Sequence, residues 1–188
     1  YSNPFGVAAD NTYVYIVNYS YHRIDRVRIT DGLYNGWIGR INAAPTDGVD
    51  ASCATAGTGD SSVWCIGGTA SQSNAQGGLN GPRAIARDGS QLYVTDNGGR
   101  VMRVNISDGA INGTISFVSS VTGCTVSSNV AQGWCTSANG GGTPTTQYGT
   151  ARTPAGVAIN STYIYVVDSY YNKLVRFNKS TGAPAGII

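Results

Sequence analysis

The most defined chemistry in this 188-residue chain belongs to its four cysteines. Cys53 precedes a Trp64-Cys65 pair and Cys124 precedes a Trp134-Cys135 pair, at nearly equal intervals. Four thiols allow three pairings, and the repetition of the unit selects one local bridge in each copy, Cys53 to Cys65 and Cys124 to Cys135. Closing a loop of that size contributes about 2–3 kcal/mol in the chain-entropy account. Zinc would want closely spaced Cys-x2-Cys pairs or histidine partners, and the chain has one histidine, His22. A single histidine and no Gly-x-Ser-x-Gly elbow also argue against a Ser-His-Asp triad. Asp47, Asp50 and Asp60 offer oxygens of the kind calcium takes, but the second cysteine segment has no matching acids. The expectation is a chain with no catalytic residues, no resident metal and no cofactor.

A second group of functional side chains is recognitive. Three stretches rich in Tyr, Asn and Asp recur, Asn18-Tyr19-Ser20-Tyr21-His22, Asp96-Asn97-Gly98-Gly99 and Asp168-Ser169-Tyr170-Tyr171-Asn172. Tyr with Asn or Asp makes adaptable contacts to proteins or sugars at low entropic cost. The candidate binding residues are therefore Asn18, Tyr19, Tyr21, His22, Asp96, Asn97, Asp168, Tyr170, Tyr171 and Asn172. Asn18, Asp96 and Asp168 also suit turns in which the side chain bonds its own loop. Asn-x-Ser/Thr triplets at Asn18, Asn105, Asn112, Asn160 and Asn178 permit glycosylation in an exported protein.

The elements that must position these residues are repeats. Pro4-Phe5-Gly6-Val7-Ala8, Pro82-Arg83-Ala84-Ile85-Ala86 and Pro154-Ala155-Gly156-Val157-Ala158 each lead into an alternating run, Tyr13–Asn18, Leu92–Asp96 and Tyr163–Asp168. A basic-apolar run follows each, Arg23–Val27, Arg100–Val104 and Lys173–Phe177, and then a turn at Asp31-Gly32, Asp108-Gly109 or Thr181-Gly182. Short β-branched and aromatic runs punctuated by such turns predict four antiparallel strands, a to d, per unit. The expected fold is all-β, with β-propeller-type blades of four antiparallel strands.

The units resemble NHL repeats, on the pattern Pro-x-Gly-Val-Ala, then Tyr-Val-x-Asp, then Asn-x-Arg-Ile. The third copy carries it best, through Pro154, Gly156, Val157, Ala158, Tyr165, Val166, Asp168, Asn172, Lys173, Leu174 and Phe177; the second departs, with Ala84 at the Gly position. The resemblance implies a propeller but speaks weakly to function. The family includes RNA binders with a basic face, and lyases and hydrolases with metal-bound centres built from several His or carboxylate ligands. This chain has 12 Lys and Arg against 10 acids, so neither nucleic acid nor that chemistry is expected. The periodic arginines, Arg23, Arg26, Arg28, Arg100 and Arg103, read as packed or solvated structural positions.

From Pro4 to Pro82 and from Pro82 to Pro154 the spacing is nearly twice the roughly 40–45 residues of common blades. The predicted organisation is therefore three blades at 1–41, 79–118 and 151–188, separated by Gly/Ser-rich insertions at 42–78 and 119–150 that hold the cysteine pairs. Strand parity puts the insertions on the face of the b–c loops, with Tyr19, Tyr21, Tyr170 and Tyr171 more accessible than Tyr15 and Tyr165, and the opposite face less eventful.

Only 12% of residues are charged, against about 25% in ordinary soluble domains, and 26 are Gly. Paired cysteines and low charge fit an oxidising, extracellular or cell-surface setting, and no run is apolar enough to span a membrane. Three blades cannot close a ring whose smallest members have about four. The chain is expected to be part of a larger propeller or of an oligomer or fibre. Its expected function is structural, binding a protein partner or itself; the alternatives are a carbohydrate-recognition module using the Tyr-rich loops, or a divergent propeller lyase or hydrolase whose site lies in other blades.

Overall fold

The computed structural model describes residues 1–43, 63–75, 77–139 and 149–188. The first blade is β1 (Pro4–Ala9), β2 (Tyr13–Asn18), β3 (Arg23–Arg28) and β4 (Tyr34–Ala43), with β5 (Thr69–Ser71) added at the β4 edge. The second is β6 (Pro82–Asp88), β7 (Gln91–Asp96), β8 (Arg100–Asn105) and β9 (Ile111–Ser116). Four short strands follow, β10 (Ser120–Thr122), β11 (Val126–Ser127), β12 (Val130–Ala131) and β13 (Ser137–Asn139). The third blade is β14 (Pro154–Ile159), β15 (Tyr163–Asp168), β16 (Lys173–Asn178) and β17 (Pro184–Ile187). Every pairing is antiparallel and sequential within a blade, so these are β-propeller blades, and the described residues include no helix.

Period-two side chains explain how the blades stack. In β7, Leu92 and Val94 join a core with Tyr15, Val17, Ile24 and Ile38 of the first blade. Tyr93, between them, joins a second core with Ile164, Val166, Val175 and Phe177 of the third. The middle blade is thus apolar on both faces, and each face has a partner. Each strand a also shifts register between the motif Pro and the residue two later, at Pro4/Gly6, Pro82/Ala84 and Pro154/Gly156. Proline cannot donate to a ladder, so it sits where a bulge opens the strand. At Gly6 the absent side chain matters, because a Cβ there would lie 3.0 Å from the Arg83 carbonyl oxygen of the neighbouring inner strand.

The described parts of the insertions run along blade edges. Cys65 pairs with Trp37 of β4, and Cys135 pairs with Thr114 of β9, each as an isolated antiparallel bridge. This covers outer strands whose unpaired backbone would otherwise recruit other chains. In the second insertion β10 pairs with β13 and β11 with β12. The Cys124–Cys135 disulfide, with Cα atoms 4.8 Å apart, joins Val118, Ala131 and Ala138 in a small core. Cys65 is also disulfide-bonded; its expected partner Cys53 lies outside the described residues.

Candidate functional site

The Asn or Asp ending strand b is buried in all three blades and holds the chain that enters strand a. Asn18 Oδ1 accepts from the Ser2 amide (3.4 Å), Asp96 Oδ2 from the Asn80 amide (3.0 Å), and Asp168 Oδ2 from the Arg152 amide (3.0 Å). Asp96 and Asp168 also accept from their own loops, at Gly98 N (3.0 Å) and Tyr170 N (3.1 Å). Before strand c each loop needs one left-handed residue, and His22 (φ 52°), Gly99 (φ 74°) and Asn172 (φ 50°) fill equivalent places. Asparagine and histidine are enriched there among non-glycine residues, which gives His22 and Asn172 a backbone role.

The structure joins the first two loops across the blade boundary. Asn97 Nδ2 donates to Tyr19 Oη (2.7 Å), and the Gly81 amide donates to His22 Nδ1 (2.9 Å). Arg83 lies over the rings of Tyr19 and Phe5, at 5.3 and 5.6 Å. The third loop forms a separate cluster, with Arg152 3.7 Å over Tyr170 and Tyr171 edge-on to Tyr170. Tyr21 and Tyr170 are exposed, Tyr19 and Tyr171 are half-buried, Tyr15 is buried, and Tyr165 is half-buried. Tyr21 and Arg23 line a cleft of about 290 Å³ with Thr69 and Ala70.

The Gly81 contact needs an unprotonated His22 Nδ1 as acceptor, which links this junction to pH. Burial is the larger influence and lowers the His22 pKa, against an opposing pull from Asp96. A depressed folded value means the contribution is intact above the unfolded pKa of about 6.5 and is lost as pH falls through the folded one. Urea midpoints measured from about pH 7.5 to about pH 5 should fall more steeply for the native chain than for His22→Asn, which keeps a left-handed residue but cannot titrate. Parallel slopes would contradict this.

Two features escaped the sequence. The first is Arg100, wholly buried and ion-paired with Asp96. Its Nη1 donates to the carbonyls of Asn74 (2.9 Å) and Ala75 (3.1 Å), and its Nη2 to those of Ser73 (3.1 Å) and Gly78 (3.0 Å). One guanidinium therefore fastens the tail of the first insertion to blade two. The second feature lies on the face expected to be uneventful. Trp64 Nε1 donates to the Ile106 carbonyl and Trp134 Nε1 to the Lys179 carbonyl, both at 2.9 Å, so each insertion's tryptophan bonds the following blade. Each ring also lies on an arginine of its own blade, Arg26 at 4.3 Å and Arg103 at 4.5 Å. The signal available in the sequence was the recurrence of Trp-Cys together with an arginine at one strand c position.

Beside Trp134 opens a polar cleft of about 490 Å³, lined by Arg103, Asn112, Gln132, Ser180 and Thr181 among others. Among the five glycosylation triplets, Asn18 is buried with its amide donated to Asp25 (3.1 Å), Asn160 is exposed, and Asn105, Asn112 and Asn178 are half-buried. Asp47, Asp50 and Asp60 lie outside the described residues. Among the described residues no three His, Cys, Asp or Glu side chains gather as a metal site.

No protein family matches the chain, and no curated protein matches it. Among solved structures it is similar to BamB from Moraxella catarrhalis, at 12% identity and a TM-score of 0.39, over 99% of this chain and 50% of that one. It is also similar to a chain named as a 6-phosphogluconolactonase from Bacteroides uniformis, at 12% identity and a TM-score of 0.41, over 97% and 52%. The chain spans about half the length of both.

Proposed function

We propose that this chain is a non-catalytic, NHL-like β-propeller scaffold of the extracellular space or cell surface, which binds further blades or copies of itself end to end. The observation that carries the reading is the state of its two end faces. Val7 of the first blade is 64% exposed, whereas its counterpart Ile85 in the second is 8% exposed within the inter-blade core. Val167 of the third blade is 46% exposed, whereas its counterparts Val17 and Thr95 are fully buried. Each end thus offers solvent a copy of a surface that the same repeat buries elsewhere in the chain. Two different complementary faces make a heterologous contact, which closes a ring or propagates according to the rotation it imposes. The Cys124–Cys135 disulfide supports an oxidising location, and the exposed Tyr21 and Tyr170 of the loops remain available for a protein or glycan partner.

Light scattering on the purified chain across the micromolar range tests this. The mass is expected to rise with concentration, and Val7→Glu and Val167→Glu should each suppress the rise. A native chain that stays monomeric throughout would overturn the proposal.

A further inference from the structure

We propose that the outward face of the third blade holds a seat for an indole side chain, formed by Arg176, Tyr163, Tyr165 and Gly186, and that its occupant is the Trp-Cys segment of a further repeat unit of this kind. The inference rests on the end-to-end reading above in the form of a further blade, not a second copy, because both insertion tryptophans of a copy already fill seats of their own.

The chain contains two filled copies of the seat. In the first, Trp64 lies on the Arg26 guanidinium, its ring 5.8 Å from that of Tyr15, and a Cβ at Gly36 would come within 3.1 Å of it. In the second, Trp134 lies on Arg103, 6.0 Å from Tyr93, and a Cβ at Gly113 would come within 2.8 Å of its ring. Both glycines precede the last stretch of strand d, and a side chain there would crowd the tryptophan, at its Cβ and backbone in the first copy and at its ring in the second.

The third copy has the same parts. Arg26 donates to the Asn35 carbonyl (3.2 Å), Arg103 to the Asn112 carbonyl (3.5 Å), and Arg176 to the Ala185 carbonyl (2.8 Å). A guanidinium nitrogen therefore reaches the equivalent strand d carbonyl in all three blades. Arg26 is held between two rings, Tyr13 at 4.5 Å and Trp64 at 4.3 Å. Arg176 has the first of these, Tyr163 at 4.4 Å, and no indole among the described residues. The nearest atoms to a Cβ at Gly186 all belong to Arg176 itself.

The complementary half of the clamp stands at the other end of the chain. In the filled copies the indole N–H meets the carbonyl that follows strand c of the next blade, at Ile106 and Lys179, and a turn glycine presses against the tryptophan from that blade, Gly109 or Gly182. The equivalent carbonyl in the first blade belongs to exposed Ile29, and the equivalent glycine, Gly32, meets nothing within 4 Å. A unit docking there brings both halves to one tryptophan. Cation–π stacking on a guanidinium already oriented by a carbonyl favours indole over aliphatic side chains.

The test uses a disulfide-closed peptide copying residues 124–136 with 5-fluorotryptophan at position 134, titrated into the full chain and read by fluorine NMR. The expected result is a saturable shift, weakened at least tenfold by Arg176→Ala and by Gly186→Ala, and unchanged by Arg152→Ala. Near-UV circular dichroism confirms that each variant keeps the native packing. No saturable shift up to millimolar peptide, an unaltered shift in the two seat variants, or equal competition by N-acetyltryptophanamide would each overturn the seat. Light scattering on the same samples separates the two proposals: association without peptide binding overturns the seat and leaves the end-to-end reading standing, whereas binding without association supports the seat and removes that reading.

Discussion

Arg100→Met is expected to destabilise the chain by about 3–5 kcal/mol, the cost of stranding a buried charge whose partner has been removed. Asp96 is wholly buried, and without the guanidinium its carboxylate keeps only the backbone donors of Gly98, Asn80 and residue 100 itself. The carbonyls of Ser73, Asn74 and Gly78 lose the guanidinium donor as well, while that of Ala75 keeps the Gly78 amide, and each buried acceptor left unpaired adds to the loss. The urea midpoint reads the effect. Asp96→Asn combined with Arg100→Met should cost clearly less than the two single changes added together, because the second change removes the charge that the first strands. Arg28→Met provides the contrast: Arg28 pairs with Asp31 at the surface, and the loss there should be much smaller. Equal losses at the two positions would show that burial of the Asp96–Arg100 pair is not what fastens the insertion.

What the sequence made legible follows from local rules. Alternation in Tyr13–Asn18, Leu92–Asp96 and Tyr163–Asp168 gave strands with two faces, because side chains in a strand have a period of two and nothing else competes over so short a run. The turn glycines and the cysteine duplication were equally local. The roles of Arg100 and the tryptophans were not, because they depend on segments distant in sequence. Arg23, Arg100 and Lys173 occupy one motif position, yet Arg23 pairs with Asp25, Arg100 receives a returning insertion and Lys173 lies at the edge of a tyrosine pair. Trp64 and Trp134 reach carbonyls 42 and 45 residues away, so their spacing from Cys65 and Cys135 carried no hint of the blade they would join. The part His22 plays is equally non-local: its left-handed backbone and its Nδ1 contact with Gly81, 59 residues away in sequence, place it in the blade junction.

Gly182→Ala and Gly109→Ala should each cost about 2–5 kcal/mol, and Gly32→Ala only about 1–2 kcal/mol, although the three glycines end the same turn. All three have positive φ, at 77°, 83° and 69°, so the strain of placing an L side chain in the left-handed region is common to them. The difference comes from what stands in front. A Cβ at Gly182 would lie 2.6 Å from the Trp134 amide nitrogen and 2.8 Å from Ile115 Cγ2, and one at Gly109 would lie 2.6 Å from Ile38 Cγ2. Overpacking of that kind moves backbone in two blades at once. At Gly32 a Cβ meets nothing within 4 Å, so only the backbone term remains. Urea midpoints measured at low protein concentration give the three values, and equal losses would mean that the turns are not inter-blade sockets.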